Sequence, residues 1–184
     1  MIYTHIIKKT KKVLSHISTV APTAEIIGLG DLFECTISKK KAKTTRNAKL
    51  KDAAIIEEKF LDLLTFPSII GNQEERIALV TGDQRFLQYE LEKNIDHATL
   101  IHGHQIDWDE SFQPTFPPIK TPLLFFGHSH EAAIYADGIR QKVPYNIPLA
   151  IGQRSYQINV GAVVDNKEWC LYDSDAMTVT FMHA

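Results

Sequence analysis

The fold class is decided by the stretch Pro122-Leu123-Leu124-Phe125-Phe126-Gly127-His128-Ser129-His130, in which an apolar run leads into a glycine turn that carries two histidines. A short apolar run bounded by turn residues predicts a buried β-strand. Two histidines at positions i and i+2 of the following turn have little packing purpose. This stretch therefore predicts a buried strand with a metal site at its carboxyl end.

The same pattern, a short apolar strand followed by a potential metal ligand, recurs along the chain. The other strands that precede such turns are residues 24–29, 68–70 and 98–101. The candidate metal ligands are Asp31, Asn72, His102, His128 and His130. In open α/β sheets, sites form beyond the carboxyl ends of the strands, so we expect these side chains to converge. A nitrogen and oxygen set without thiolates favours one or two divalent ions, namely Mn²⁺, Fe²⁺, Zn²⁺ or Ni²⁺.

Strands and helices alternate in the first half of the chain, and strands dominate the second half. The predicted helices are residues 8–17, 52–64 and 86–93. Further strands are predicted at residues 77–80 and 156–160, and a closing hairpin at 169–172 and 177–182. This order predicts a single α/β domain over residues 1–184, with sheets in the middle and helices outside.

Composition places the chain among ordinary soluble globular proteins. It has 184 residues, 44% of them hydrophobic and 23% charged, with a net charge of -2. A basic cluster lies at Lys39, Lys40, Lys41, Lys43 and Arg46. We interpret it as a solvated loop, and we expect neither a nucleic-acid nor a membrane partner. Two distant cysteines and the lack of a signal peptide favour a cytoplasmic location.

The ordered motifs resemble those of the calcineurin-like metallophosphoesterases. That family carries, in order, Asp-x-His, Gly-Asp, Gly-Asn-His-Asp/Glu, His-Gly and Gly-His-x-His. The similar elements here are Gly30-Asp31, Gly71-Asn72-Gln73-Glu74, His102-Gly103 and Gly127-His128-Ser129-His130. The segment 158–163 resembles the Ile-Asn-Pro-Gly-Ser that follows in the family, so the resemblance covers roughly residues 25–173.

The resemblance implies a sandwich of two mainly β sheets flanked by helices. It also implies a metal-dependent hydrolase of a small phosphomonoester or phosphodiester. Asp31 would bridge two ions; Asn72, His102 and His128 would complete one of them, and His130 would serve the other. In such pairs the ions activate water and clamp the phosphate oxygens.

The chain departs from the family at the first motif, because no complete Asp-x-His strand precedes the first helix. Tyr3-Thr4-His5 is either a remnant of that motif, with the first strand truncated, or an ordinary terminal segment, and we favour the second interpretation slightly. Because this motif would supply ligands to the second ion, its absence predicts one tightly bound metal ion and slow hydrolysis. It also leaves open a non-catalytic scaffold that keeps the fold as a binding module.

Two further departures concern catalytic and ligand residues. Gln73 stands where the family has a histidine beside the scissile phosphate, and glutamine cannot supply a proton as imidazolium does. Gln73 and His104 are therefore both candidate catalytic residues, with His104 as the substitute acid. Gly82-Asp83 also follows an apolar run and rivals Gly71-Asn72 as the ligand turn. We favour Asn72, because it is the family's ligand type.

Overall fold

The computed structural model describes residues 2–111, 113–118, 120–152 and 154–184, and the side chains of residues 2–4 lie outside that description. The α-helices in these ranges are α1 (Ile2–Val20), α2 (Lys39–Ala42), α3 (Leu50–Ala53), α4 (Glu58–Leu61), α5 (Asn72–Thr81) and α6 (Val163–Asn166). The first strands are β1 (Glu34–Cys35), β2 (Ala54–Ile55), β3 (Glu92–Ile95), β4 (Ala98–Ile101), β5 (Asp107–Trp108), β6 (Pro114–Thr115) and β7 (Leu123–Phe126). The remaining strands are β8 (Ala133–Ala136), β9 (Ile139–Gln141), β10 (Leu149–Ala150), β11 (Tyr156–Asn159), β12 (Glu168–Asp173) and β13 (Thr178–His183).

The centre of the fold is a six-stranded mixed sheet in the order β3-β4-β7-β11-β8-β9. Strands β4, β7 and β11 run parallel, with Phe125 of β7 opposite Leu100 on one side and Ile158 on the other. Every residue of β4 and β7 is buried, as expected for parallel strands covered on both faces. The turns that follow β4 and β7 therefore lie side by side, and Gly127 N–H donates to His102 O at 2.9 Å.

A three-stranded antiparallel sheet, β10-β13-β12, contributes to the main core. Val179 and Phe181 of β13 belong to the same buried cluster as Leu123, Phe125 and Ile158 of the large sheet. Burial of these side chains supplies the apolar free energy that holds the two sheets together. The fold is thus a mixed α/β architecture with a central mixed sheet and helices around it.

No helix in the described ranges is both long and apolar enough to cross a membrane.

Two extended segments outside the named strands place the first candidate ligands. Gly28 bridges Ser68 in parallel, and Ile69 bridges Glu90 in parallel. Gly28 N–H donates to Pro67 O at 2.8 Å. Because these segments run in the same direction, their ends deliver Asp31 and the start of α5 to the same side.

The strand predicted at residues 77–80 is wrong, because this segment lies inside α5. Ile77 and Val80 are both 0% exposed and lie three residues apart, which is a helical spacing. Glu74 accepts the N–H of Gly71, the N-cap residue, at 2.8 Å and so starts the helix. Gly82 ends it in a left-handed conformation, with φ of 79°.

The helices predicted at residues 52–64 and 86–93 are also wrong in extent and partly in type. Ile55 pairs with Glu34 in the short β1–β2 ladder, which divides the first segment into α3, β2 and α4. The β-branched residue favours this strand over a continuous helix. The second segment is a 3-10 helix, Gln84–Leu87, followed by β3.

Candidate metal centre

Asp31 is delivered by a turn that requires glycine. Gly30 and Asp31 both have left-handed backbones, with φ of 86° and 53°. A Cβ atom on Gly30 would lie 2.7 Å from the backbone nitrogen of Gly71, which is too close for nonbonded atoms. The positive φ would add strain for most other residues. The Gly30-Asp31 loop therefore packs directly against the loop that precedes Asn72.

His102 is held in one orientation by a backbone carbonyl. His102 is 3% exposed, and its Nδ1 lies 2.6 Å from Leu29 O. A carbonyl oxygen only accepts, so Nδ1 carries a proton and Nε2 of the neutral ring presents a lone pair. This Nε2 lies 3.3 Å from Asp31 Oδ2, 3.2 Å from Asn72 Oδ1 and 3.2 Å from His128 Nδ1. Four side chains therefore converge on one point.

The converging groups suit a divalent metal ion. The oxygens of Asp31 and Asn72 are hydrogen-bond acceptors, and so is Nε2 of a neutral His102. When His102 is neutral, these three acceptors face one another with no proton between them, and a cation can take that place. Ligand atoms of Asp31, His102 and His128 lie within 4.8 Å of one another. That spread is near the separation of atoms that bind one ion at about 2.0–2.2 Å each. The donor chemistry of this cluster therefore fits a borderline divalent ion.

In the metal-free cluster, a proton on His102 faces Asp31 at the point where a cation would bind. Burial, followed by the charge of His102, lowers the pKa of His128 to about 4, so this ring is neutral near pH 7. Burial opposes charge on Asp31 and His102, but their hydrogen bond and attraction outweigh it. The pKa of Asp31 is lowered and that of His102 is raised. A metal ion would displace the His102 proton from the same point.

Asn72 and Asp83 lie at opposite ends of α5. Asn72 is the first residue of the helix, whereas Asp83 follows its C-cap and pairs with Arg85 at 2.6 Å. A helix of 10 residues spans about 15 Å. The structure therefore brings Asn72, and not Asp83, next to His102. Asp83 was a candidate because Gly82-Asp83 follows a predicted strand. That strand is wrong, because Gly82 is the C-cap of the helix α5.

Glu74 has a role that the sequence prediction missed. It is 0% exposed, and its carboxylate accepts the backbone N–H groups of Asp31 at 2.9 Å, Gly71 at 2.8 Å and Phe33 at 3.0 Å. Burial, with a further contribution from the charge of Asp31, raises the pKa of Glu74. Its position three residues after Gly71 is the capping-box position, which was the available signal.

His104 lies beside the cluster. Its ring centroid is 5.4 Å from that of His102 and 6.3 Å from that of His128. Nε2 lies 3.3 Å from Oε2 of Glu75, while Nδ1 is buried without a partner among the described residues. Burial is the largest cause that lowers the pKa of His104.

Gln73 uses its backbone, and not its carboxamide oxygen, to contact the cluster. Its N–H donates to Asp31 Oδ1 at 2.9 Å. The side-chain oxygen accepts from Cys35 N–H at 3.0 Å and from the Arg76 guanidinium. The carboxamide oxygen therefore ties the segment after Asp31 to the first turn of α5.

His130 is engaged by a different carboxylate. It has a left-handed backbone, with φ of 63°, and Nδ1 lies 2.6 Å from Asp165 Oδ2. Lys9 Nζ donates to the backbone oxygen of Asp165 at 2.9 Å. The close ligand group found in the described ranges contains Asp31, His102 and His128, without His130.

Asn159 supports the turn that carries His128. It is 1% exposed, its Nδ2 donates to Ser129 Oγ at 2.6 Å, and its Oδ1 accepts Gly161 N–H at 3.0 Å. Asn159 ends β11 next to Phe126 of β7, so the sheet register sets this contact.

The Tyr3-Thr4-His5 segment lies within α1. His5 is exposed, and the side chains of Tyr3 and Thr4 lie outside the described residues. The exposed His5 on a helix gives no support to the interpretation of this segment as a motif remnant, which was the less favoured of the two.

Comparison with solved structures finds a similar fold. A metallophosphoesterase from Sphaerobacter thermophilus matches with a TM-score of 0.57 and 17% sequence identity, over 94% of this chain and 82% of the other. No protein-family model matches the chain, and no curated protein matches it. At this identity the likeness concerns the fold alone.

Proposed function

We propose that this protein is a metal-dependent phosphoesterase that hydrolyses a small phosphomonoester or phosphodiester. The observation that carries the proposal is the convergence of Asp31, Asn72 and His128 on Nε2 of His102. The fold likeness to a metallophosphoesterase supports the same class. We also propose the two-sheet sandwich of that class, and a cytoplasmic location in keeping with the free thiols of Cys35 and Cys170.

In this proposal Asp31, Asn72, His102 and His128 hold one divalent ion. When bound, the ion supplies charge for the phosphate oxygens and lowers the pKa of a water molecule. Leu29 O fixes the His102 tautomer, so that Nε2 faces the ion. Such a second contact around a ligand orients it and makes it more basic.

In this proposal His104, beside His102, transfers a proton to the leaving group. The charge of Glu75, 3.3 Å from its Nε2, partly offsets the burial that lowers the pKa of His104. A general acid of this kind contributes about 10²–10⁴-fold to the rate. Gln73 takes an orienting role, because its N–H holds Asp31 Oδ1.

A second candidate function is a non-catalytic scaffold that binds a metal ion or a phosphate ester without turnover. Two observations favour it. The close ligand group of the described residues does not include His130, and Gln73 stands where the resemblance has a histidine. A second ion then has no complete ligand set, and glutamine cannot supply a proton to a leaving group.

Metal titration and hydrolysis assays separate these functions. We would titrate Mn²⁺ and Zn²⁺ into chelator-treated protein by calorimetry, and assay p-nitrophenyl phosphate and bis(p-nitrophenyl) phosphate. The matched variants are Asp31→Asn at the cluster and Asp83→Asn at the other end of α5. We expect Asp31→Asn alone to lose metal binding and turnover. Metal binding without turnover in the native chain supports the scaffold, and equal losses in both variants refute the site.

A further inference from the structure

One segment of the chain carries a concentrated and unneutralised positive charge. Residues 35–51 contain no aspartate or glutamate. Their exposed cations are Lys39, Lys40, Lys41, Lys43, Arg46, Lys49 and Lys51. Across the described ranges, the ion pairs formed within 4.0 Å involve none of these residues. Because the whole chain has a net charge of -2, this segment, hereafter the basic segment, contrasts with the rest of the surface.

The basic segment has a defined shape because it is anchored to the core. Cys35 and Ala42 are 6% and 2% exposed, and both pack in a buried cluster with Ile77 of α5. The Arg46 guanidinium donates to the carbonyl oxygens of Ala42 at 3.1 Å and Thr45 at 2.6 Å. These contacts order the backbone, and they leave the positive charge of Arg46 without a counter-ion.

The anchoring places the start of the basic segment at the metal centre. Phe33 N–H donates to Glu74, and Cys35 N–H donates to Gln73, so the chain leaves Asp31 along the first turn of α5. Lys39 follows four residues later, at the start of α2. Ala42 of α2 packs in one buried cluster with Ile77 of α5, the helix that begins at Asn72. A cationic surface therefore begins on the segment that leaves Asp31 and continues beside α5.

We propose that the basic segment binds additional phosphate groups of the substrate, so that the preferred substrate is a small molecule with a chain of two or more phosphates. This inference rests on the proposed phosphoesterase site, which would hold the scissile phosphate. Further phosphates linked to it would meet Lys39 and the lysines of α2. Unpaired ammonium groups at the edge of a site attract and orient such anions. In this proposal the basic segment is a binding surface, and not the solvated loop that we inferred from the sequence.

Calorimetric binding of inorganic phosphate and tripolyphosphate to metal-free protein tests the inference without turnover. The test variant is Lys39→Gln with Lys40→Gln and Lys43→Gln. The matched control is Lys8→Gln with Lys11→Gln and Lys12→Gln, which removes three exposed lysines from α1. We expect tripolyphosphate to bind at least about tenfold more tightly than phosphate, and the test variant to lose about tenfold. The control should bind as the native chain does.

Two results would overturn the inference. One is equal weakening of tripolyphosphate binding in the test and control variants. The other is a single-stranded oligonucleotide that binds the basic segment more tightly than tripolyphosphate, which would make the ligand a nucleic acid. Hydrolysis of p-nitrophenyl phosphate by the same variants keeps the two proposals distinguishable. If turnover is absent but tripolyphosphate binding depends on Lys39, the phosphoesterase proposal fails and the anion site stands.

Discussion

The backbone N–H of Asp31 donates to Oε2 of Glu74 at 2.9 Å, across a separation of 43 residues in the chain. The same oxygen accepts the N–H of Gly71 at 2.8 Å. One buried carboxylate therefore joins the two loops that carry Asp31 and Asn72. The geometry of the candidate metal centre therefore depends on Glu74, although its carboxylate binds backbone N–H groups and is not a candidate ligand.

Glu74→Gln should weaken both the fold and the metal site. The carboxamide nitrogen would face a backbone N–H in place of an oxygen, which leaves a buried donor unsatisfied. We expect the free energy of unfolding to fall by about 1–3 kcal/mol and metal affinity to fall about 10–100-fold. Urea denaturation and calorimetry measure the two effects. Glu75→Gln, next in sequence and partly exposed, is the stability control, and native-like behaviour of Glu74→Gln would contradict the role.

Asn159→Ala should loosen the turn that carries His128. The change removes the donor to Ser129 Oγ and the acceptor of Gly161 N–H, both at a residue that is 1% exposed. We expect a loss of about 1–3 kcal/mol in unfolding free energy, with weaker metal binding. Ser129→Ala removes one of the two contacts and should cost less. The support role fails if Asn159→Ala lowers stability but leaves metal affinity unchanged.

The parts of the fold that the sequence predicted are those decided by local pattern. The strand at residues 98–101 and the closing hairpin are confirmed, with the hairpin strands at Glu168–Asp173 and Thr178–His183. Residues 77–80 were predicted as a strand because they form a short apolar run that contains the β-branched residues Ile77 and Val80. Their true state depends on the cap at Gly71 and Glu74, outside the run itself.

For the candidate site, the order of strand ends predicted which loops meet, and the geometry brings Asp31, Asn72, His102 and His128 together. A local sequence pattern does not show which distant residue a given side chain will contact. His130 binds Asp165, which lies 35 residues later, and only the packing of α6 produces that contact. The position of Lys39 at the start of α2 likewise depends on how the chain after Asp31 packs against α5.

Metal-free protein should lose stability as the pH falls, and His128 should account for part of the loss. The pKa of this ring drops from an ordinary 6.5 to about 4 in the fold. Between these values the unfolded chain binds a proton that the folded chain does not, so stability present above pH 6.5 declines toward pH 4. The ring is half-buried and screened by water, so we expect only about 1–2 kcal/mol.

Urea denaturation at both ends of this pH window, with chelator present, measures the change. His128→Gln should show a shallower loss of stability than the native chain. His5→Gln, on the exposed face of α1, is the control and should follow the native curve. If the native chain and His128→Gln lose the same free energy, the lowered pKa of His128 is wrong.

Metal stoichiometry should be one ion per chain. Asp31, Asn72, His102 and His128 provide four protein ligands at one point, which suffices for tight binding. A second ion would have only a shared Asp31 and His130, which lies outside the close ligand group of the described residues. Elemental analysis after dialysis against Mn²⁺ or Zn²⁺ measures the stoichiometry. His130→Ala removes the candidate fifth ligand and none of these four, so we expect the stoichiometry to remain near one.

Weak turnover follows from the same ligand count. Two ions clamp the attacking and leaving oxygens in a two-metal mechanism, and each supplies several kcal/mol of charge stabilisation. Since each 1.36 kcal/mol changes the rate tenfold, we expect kcat/KM about a hundredfold or more below the usual enzyme range of about 10⁴–10⁸ M⁻¹s⁻¹. The assay uses p-nitrophenyl phosphate and bis(p-nitrophenyl) phosphate with saturating metal, and Asp31→Asn gives the background rate. Two tightly bound ions together with turnover in the ordinary range would show that the one-ion centre is wrong.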